Sequence, residues 1–343
     1  MSDLASSVKP IRIAINGYGR IGRCVLRALY ESDYRSSIEV VAINEPADCA
    51  TIAHLTKYDS THGRFPANVS AEGDVLTVNG DHIAVSHYES LADIDWASQN
   101  VDVVLECSGQ FAEEKDLKQH LQHGAQRVLL SQPGEQTLKT IVYGINQQQL
   151  LSQDKLVSSA SCTSNCIVPV IDILHRQFQV QSGVVTTIHS AMNDQPVIDA
   201  YHHTDLRKTR AAGQSIIPVD TGLAAGIDRL LPQLEGRFEA RALRVPTTNV
   251  SIMELSAQVS EPVDIETVNN ALREATGGDL MGVLGVTDEP LASCDFNHDP
   301  RSGIVDLGQT RISGQIVNVL VWFDNEWGYA NRMLDVVRTW PID

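Results

Sequence analysis

What the chain lacks narrows its class before any motif is read. No stretch approaches the ~20 apolar residues that span a bilayer, so no membrane partner is expected. The amino-terminal MSDLASSVKP carries an acid and no apolar run, unlike a secretory signal. Basic charge is scarce: 26 Lys and Arg face 43 Asp and Glu, a formal net charge of −17. A net anion repels phosphate backbones, which argues against nucleic acid as partner. Local basic spots remain available to a phosphorylated metabolite. The six cysteines, at 24, 49, 107, 162, 166 and 294, are too scattered for a disulfide framework. Reduced thiols and a cytoplasmic location are therefore expected. Internal repeats and low-complexity tracts are absent as well.

What is present reads as two domains, in keeping with 343 residues. IRIAI (11–15), NGYGRIGR (16–23) and CVLRALYES (24–32) form an apolar strand, a glycine turn and a helical pattern. EVVAIN (39–44) follows as a second buried strand, completing a βαβ unit. VDVVLECSG (101–109), AEEKDLKQHLQHGA (112–125) and RVLLSQP (127–133) repeat the alternation, which predicts a parallel sheet covered on both faces. The pattern changes near residue 161. After the helix IVPVIDILHRQF (167–178), strand-like segments dominate: GVVTTIH, ARALRVP, VSIMELSAQV, GIVDLG and IVNVLVWF. These predict an antiparallel or mixed sheet. Residues 191–222 are polar and irregular, the kind of long loop that tends to be functional. NEWGYANRMLDVVRTW (325–340) is expected to be amphipathic, with Tyr329, Met333, Val336, Val337 and Trp340 on one face.

Gly17, Gly19 and Gly22 form GxGxxG between a strand and a helix. Gly17 permits the tight turn, Gly19 lets the backbone approach a pyrophosphate, and Gly22 lets the helix pack on the strand. The helix amino end then offers N–H groups to the phosphates. Glu45 ends the second strand, where a carboxylate accepts from both ribose hydroxyls and repels a 2′-phosphate. That favours NAD over NADP.

SASCTSNC holds two cysteines four residues apart. No second Cys/His pair stands at metal-site spacing, so no metal is expected, and a disulfide at this spacing is awkward. Two core cysteines stay open as a reading. Against it, Cys162 lies at a helix start, where N–H groups and the dipole lower a thiol pKa. Cys166, a turn further in, points to packing. A thiolate needs a base, and His189 ends the strand GVVTTIH; a structural role for His189 also stays open. Cysteine, histidine and nicotinamide together suggest aldehyde oxidation through a thioester.

INGYGRIGR, ASCTSNC, the TIH strand end, SIIPVDTG, RVPTTNVS and WFDNEWGYANRM, in this order and over nearly the full length, resemble the phosphorylating glyceraldehyde-3-phosphate dehydrogenase superfamily. The resemblance implies an α/β chain: a Rossmann-type NAD-binding domain over 1–161 and 325–343, with a returning carboxy-terminal helix, and an α+β catalytic domain over 162–324. It implies a homotetramer. It makes Cys162 the nucleophile, His189 its base and Asn325 the anchor of the nicotinamide carboxamide. Arg20 and Ile21 resemble pyrophosphate-contacting positions, and Ser108 and Ser131 further cofactor positions. Ser161, Thr163, Lys208, Thr221, Gly222 and Arg244 resemble the anion and substrate sites, with Arg244 suited to bidentate bonding.

The departures from the family pattern bear on substrate. After the histidine, relatives carry a threonine-rich run that binds the substrate phosphate. Here the run reads His189-Ser190-Ala191-Met192-Asn193-Asp194-Gln195, with Met192 and Asp194 replacing hydroxyls. An aspartate is expected to repel a phosphate there. HSAMNDQPVIDAYH, NEPADCATIAHLTKYDSTHGRF and SIIPVDTGLAAGIDR look more like the branch of the superfamily that oxidises a sugar phosphate one carbon longer, on the route to pyridoxal phosphate. Water is the acyl acceptor which that branch implies. Lys208 stands where relatives have arginine, keeping the charge but losing the fork. Glu89 stands where relatives have a basic residue by the adenosine. A three-carbon sugar phosphate dehydrogenase with a divergent loop is the alternative within the class, and a binding protein on the same scaffold the alternative outside it.

Overall fold

The computed structural model describes residues 9–342; most of the amino-terminal segment read above against a secretory signal lies outside them. The backbone clusters into two units. The first holds the chain as far as Ile141, Gln147–Ala160 and the segment from Met333 onward. The second holds Val142–Asn146 and Ser161–Arg332. Residues 325–332, expected with the dinucleotide domain, thus belong to the second unit. Local bonds account for this. Asp324 Oδ1 accepts from the backbone N–H of Glu326 and Trp327. Gly328 lies so close to Arg301 that an added Cβ would meet its carbonyl oxygen at 2.4 Å.

In the first unit, β1 (Ile11–Asn16), α1 (Arg20–Glu31) and β2 (Ile38–Asn44) form the expected βαβ element. After α2 (Cys49–Lys57) come the two-residue strands β3 (Tyr58–Asp59) and β4 (Gly63–Arg64), then β5 (Val69–Glu72), β6 (Val75–Val78) and β7 (Asp81–Ser86). β8 (Val103–Glu106), α3 (Glu114–Gln122), β9 (Arg127–Leu130), β10 (Lys139–Thr140) and β11 (Leu156–Ser158) complete it. The sheet order is β10-β11-β9-β8-β1-β2-β7-β6-β5. It is parallel from β10 to β7, a Rossmann-type dinucleotide-binding sheet. The chain leaves β1 for β2 on one side and returns to β8 on the other, which sets the topological switch point beside β1. β6 and β5 add an antiparallel extension. β6 turns into β7 through Asn79 (φ 50) and Gly80 (φ 94), a left-handed pair that closes a two-residue hairpin.

The second unit opens with α4 (Cys162–Phe178) and β12 (Ser182–His189). β13 (Ile217–Val219), α5 (Leu223–Leu230), β14 (Phe238–Arg244), β15 (Ser251–Gln258), α6 (Ile265–Gly277), β16 (Leu284–Thr287), β17 (Gly303–Ser313) and β18 (Ile316–Phe323) follow. The mixed sheet runs β13-β14-β12-β15-β18-β17-β16, with β12–β14 and β16–β17 parallel. Burial alternates residue by residue along β15 and β18, as in a sheet with one face on a core. α7 (Trp327–Thr339) departs from the expected amphipathic helix. Asn331, Arg332 and Asp335 are buried along with its apolar side. Each of the three side chains makes a hydrogen bond: Asn331 Nδ2 donates to the Trp327 carbonyl, Arg332 NH1 to the Gly282 carbonyl, and Asp335 accepts from the Tyr34 hydroxyl. No described helix is long and apolar enough to cross a membrane.

Candidate active site

At the carboxyl ends of β1, β2 and β8 lies a cavity of about 450 Å³, walled by Asn16, Gly17, Gly19, Glu45 and Ser108 among others. Its shape depends on glycine. Gly17 has φ +85, and a Cβ there would lie 2.3 Å from Ser108 Cα. A Cβ on Gly22 would lie 2.4 Å from the Gly17 carbonyl oxygen. Gly19 faces open space, with no atom within 4 Å of an added Cβ. It is the N-cap of α1 and supplies no side-chain cap, so a phosphate can take the place of a capping group. Glu45 Oε2 accepts from the Tyr18 N–H at 2.8 Å, which holds the carboxylate at the cavity wall. These features fit a dinucleotide.

The other expected cofactor positions separate. The Arg20 guanidinium is bound by Asp59 on both nitrogens. Burial raises the Asp59 carboxyl, but Arg20 and the N–H groups of His62 and Thr61 outweigh it and hold the carboxyl well below its usual range. Ile21 sits half-buried in the first turn of α1. Ser108 lines the cavity, while Ser131 bonds the Cys107 thiol and lies outside the lining. Glu89 also lines it.

Cys162 is the first residue of α4, capped by Ser161, whose Oγ accepts from the Ser164 N–H at 3.0 Å. Such a cap stabilises a helix by about 1 kcal/mol. Ala160 (φ 57), just before it, is left-handed and strained, a cost of about 1–3 kcal/mol that concentrates at functional sites. The hydroxyls flanking Cys162 in sequence bond one another: Ser161 to Thr163 at 2.8 Å and to Ser164 at 2.9 Å. Cys162 Sγ lies 3.9 Å from His189 Nε2, and His189 Nδ1 bonds the Ser190 carbonyl at 2.8 Å. A carbonyl accepts only, so Nδ1 carries the proton and Nε2 is the acceptor facing sulfur.

The ionisation differs from the expectation of a lowered thiol pKa. Burial pushes the Cys162 thiol up to about 11, against the N–H groups of Thr163 and Cys162 itself, with Glu326 and Asp324 adding to the rise. Desolvation exceeds the helix-end effect. Burial likewise lowers His189, despite its bond to Ser190. The resting pair is thiol and neutral imidazole. Cys166 is completely buried, and a Cβ on Gly303 would lie 3.1 Å from its Sγ, so it packs against β17. No disulfide joins the described cysteines.

β12 and β14 run parallel with His189 opposite Arg244 in register, which sets both side chains at the same end of the sheet. Arg244 is 8% exposed. Its NH1 pairs with Asp194 Oδ1, and Lys208 Nζ bonds Asp194 Oδ2 at 2.9 Å. Asp194 therefore engages both cations assigned to an anion and offsets one of their two positive charges. Burial raises its carboxyl, but its bonds to Arg244 and Lys208 prevail and lower it. Asn325 Oδ1 accepts from the Ser190 hydroxyl at 3.0 Å and the Ser251 hydroxyl at 2.8 Å. With its oxygen so engaged, Asn325 has Nδ2 to offer. Ser251 follows Val250, a β-branched residue at φ 49, a second strained position beside the site. Thr221 Oγ1 accepts from the Leu223 N–H at 3.3 Å, and Gly222 is the N-cap of α5, open to solvent at its Cα.

Reading the sequence missed a buried network at the cavity floor. Trp96 Nε1 donates to His120 Nδ1 at 3.0 Å, and His120 Nε2 bonds Glu106 Oε2 at 2.9 Å. Glu106 also accepts from Asn16 Nδ2 and from the N–H and hydroxyl of Ser108. A lone carboxylate ending the apolar run VVLE and a histidine three residues beyond Leu117 were the available signals. Asp194 was noticed, but its pairing with Lys208, fourteen residues on, has no local signature.

Comparison with protein families agrees with both units. Residues 11–114 match the family described as glyceraldehyde 3-phosphate dehydrogenase, NAD binding domain. Residues 161–325 match the one described as glyceraldehyde 3-phosphate dehydrogenase, C-terminal domain.

Proposed function

Because the chain belongs to the glyceraldehyde 3-phosphate dehydrogenase superfamily and is an NAD-dependent dehydrogenase, we propose that it oxidises D-erythrose 4-phosphate to 4-phosphoerythronate, a step toward pyridoxal phosphate, with water releasing the acyl group. The observation that carries the reaction type is the thiol at the start of α4, 3.9 Å from an imidazole nitrogen that can only accept.

The resting thiol gives its proton to His189 Nε2 as the aldehyde arrives. The Cys162 sulfur adds to the carbonyl carbon, and the imidazolium returns a proton to the carbonyl oxygen, forming a thiohemiacetal. His189 then takes the hydroxyl proton as hydride departs, leaving a thioester. NAD, when bound, accepts that hydride. His189 sheds the hydroxyl proton to solvent and takes one from water as the hydroxyl adds to the thioester carbonyl; the C–S bond then breaks, the sulfur regains the proton from His189, and the acid leaves. We assign Asn325 Nδ2 to the nicotinamide carboxamide, the α1 amino end with Gly19 to the pyrophosphate, and Glu45 to the ribose hydroxyls. Arg244 and Lys208 serve the substrate phosphate, with Ser161, Thr163, Thr221 and Gly222 around it.

Met192 and Asp194, where relatives carry hydroxyls, support the longer sugar and water release. Val197, Ile198, Tyr201, Leu206 and Ile216 are exposed apolar side chains of one loop segment, a surface suited to the family's homotetramer. The place of action we propose is the cytoplasm.

The test follows NADH formation with erythrose 4-phosphate and with glyceraldehyde 3-phosphate, each with and without inorganic phosphate. Turnover of the four-carbon aldehyde without phosphate is expected. A large preference for the three-carbon aldehyde with strict phosphate dependence would overturn the reading. Reduced protein that turns over neither aldehyde would indicate a binding protein on this scaffold.

A further inference from the structure

Arg244 and Lys208 are already occupied by an anion, and that anion belongs to the chain. Asp194 gives one carboxylate oxygen to each cation. Its position is held by the turn that carries it: Ala191 N–H bonds the Thr247 carbonyl at 2.9 Å, Gln195 N–H the Met192 carbonyl at 3.0 Å, and Met192 N–H the Gln195 Oε1 at 3.1 Å. Gln195 Oε1 also approaches Arg244 NH1 at 3.4 Å. Asp194, expected to repel a phosphate, is paired with the two cations a phosphate would seek.

We propose that Asp194 is a tethered counter-anion that sets the specificity of this site by competing with incoming phosphate for Arg244 and Lys208. The proposal rests on the aldehyde-oxidation reading above and deepens it. A carboxylate and a phosphate seek the same donors on a guanidinium and an ammonium. The carboxylate acts at the high effective concentration of a group on the same folded chain. A substrate phosphate also arrives tethered, through the carbon held by Cys162, and so can displace or join it. Free inorganic phosphate has no such tether and meets two cations that already share a carboxylate. The site thereby accepts the phosphate of its substrate while refusing phosphate as an acyl acceptor, and the thioester is left to water.

The experiment measures inorganic phosphate binding to the reduced full-length protein by thermal-shift titration, without aldehyde. Two partly exposed ion pairs predict a half-saturating phosphate concentration about tenfold lower in Asp194→Asn than in the natural chain. Asp194→Glu, which keeps the charge, should stay within about twofold. Asp194→Ser repeats the measurement should the amide fail to fold. Turnover of erythrose 4-phosphate should at the same time become phosphate-responsive in Asp194→Asn. Equal phosphate binding in all four proteins would overturn the proposal even if the aldehyde is oxidised. Tighter phosphate binding with no oxidation of either aldehyde would uphold the counter-anion and overturn the functional reading on which its role was placed.

Discussion

The glycine loop and the cysteine site are both built where strands end and a helix begins, yet they are made differently. At Gly17–Gly22 the backbone is the working part, and side chains are excluded because a Cβ would strike Ser108 or the Gly17 carbonyl. At Cys162 the backbone supplies a helix start, but the chemistry depends on which protons sit on sulfur and imidazole. That ionisation is set by burial and by groups far along the chain, among them Glu326, Asp324 and Arg244. A backbone site is written locally in sequence; an ionisation site is written over the whole fold.

Cys162→Ser gives the largest effect, because a hydroxyl cannot replace the thiolate as nucleophile. Aldehyde-dependent NADH formation should vanish while the unfolding transition stays in place. His189→Asn should cost on the order of 10² to 10⁴ in kcat/KM, the usual contribution of a general base. The raised thiol also fixes the sign of a pH profile. Thiolate, the form that iodoacetamide alkylates, grows as pH rises toward about 11. Iodoacetamide labelling of Cys162, followed by mass spectrometry without cofactor, should climb throughout that range. A plateau below neutral pH would show a preformed ion pair and break the contrast drawn above.

The glycines sharpen the comparison from the other side. Gly17→Ala places a Cβ on a residue at φ +85 and against the Ser108 backbone, so the folded state itself should suffer. Gly19→Ala meets no protein atom within 4 Å, so Tm should hold while NAD affinity falls. Differential scanning and NAD fluorescence titration separate the two; equal losses of Tm would remove the distinction between a turn glycine and a phosphate-facing one. Glu45→Ala follows in size. Loss of a charged acceptor should weaken NAD about tenfold or more, and NADP should be discriminated against less strongly.

The same division explains what could be read without coordinates. The strand, glycine turn and helix of the βαβ unit were legible because hydrophobic period and glycine chemistry are local. So was the mixed character of the second sheet, since its strands follow one another with few helices between. The β5–β7 extension went unread although Asn79–Gly80 is a hairpin signal; its strands of four to six residues are short. The lowered thiol pKa was a local inference, and burial, a tertiary quantity, reversed it. The buried face of α7 holding Asn331, Arg332 and Asp335 looks solvent-bound in sequence, because its partners Gly282 and Tyr34 are remote. Asp194 could be read as a charge unfavourable to phosphate, but not as the partner of Arg244 and Lys208, which lie 50 and 14 residues away.

The smallest effect tests the division within SASCTSNC. Cys166 lies one turn beyond Cys162 on α4, completely buried, with its sulfur against the Gly303 backbone of β17. A thiol there behaves as a small apolar group. Cys166→Ser keeps the volume nearly constant and buries a hydroxyl in its place, which costs about 1–3 kcal/mol where no partner is available. The variant should lose Tm and keep kcat/KM with the aldehyde within about twofold, since nothing that touches the reacting atoms has changed. Denaturant melts and steady-state rates on the same preparation decide it. An activity loss as deep as that of Cys162→Ser, without loss of stability, would mean that the second cysteine shares in the chemistry and that packing and catalysis are not separated by one helical turn.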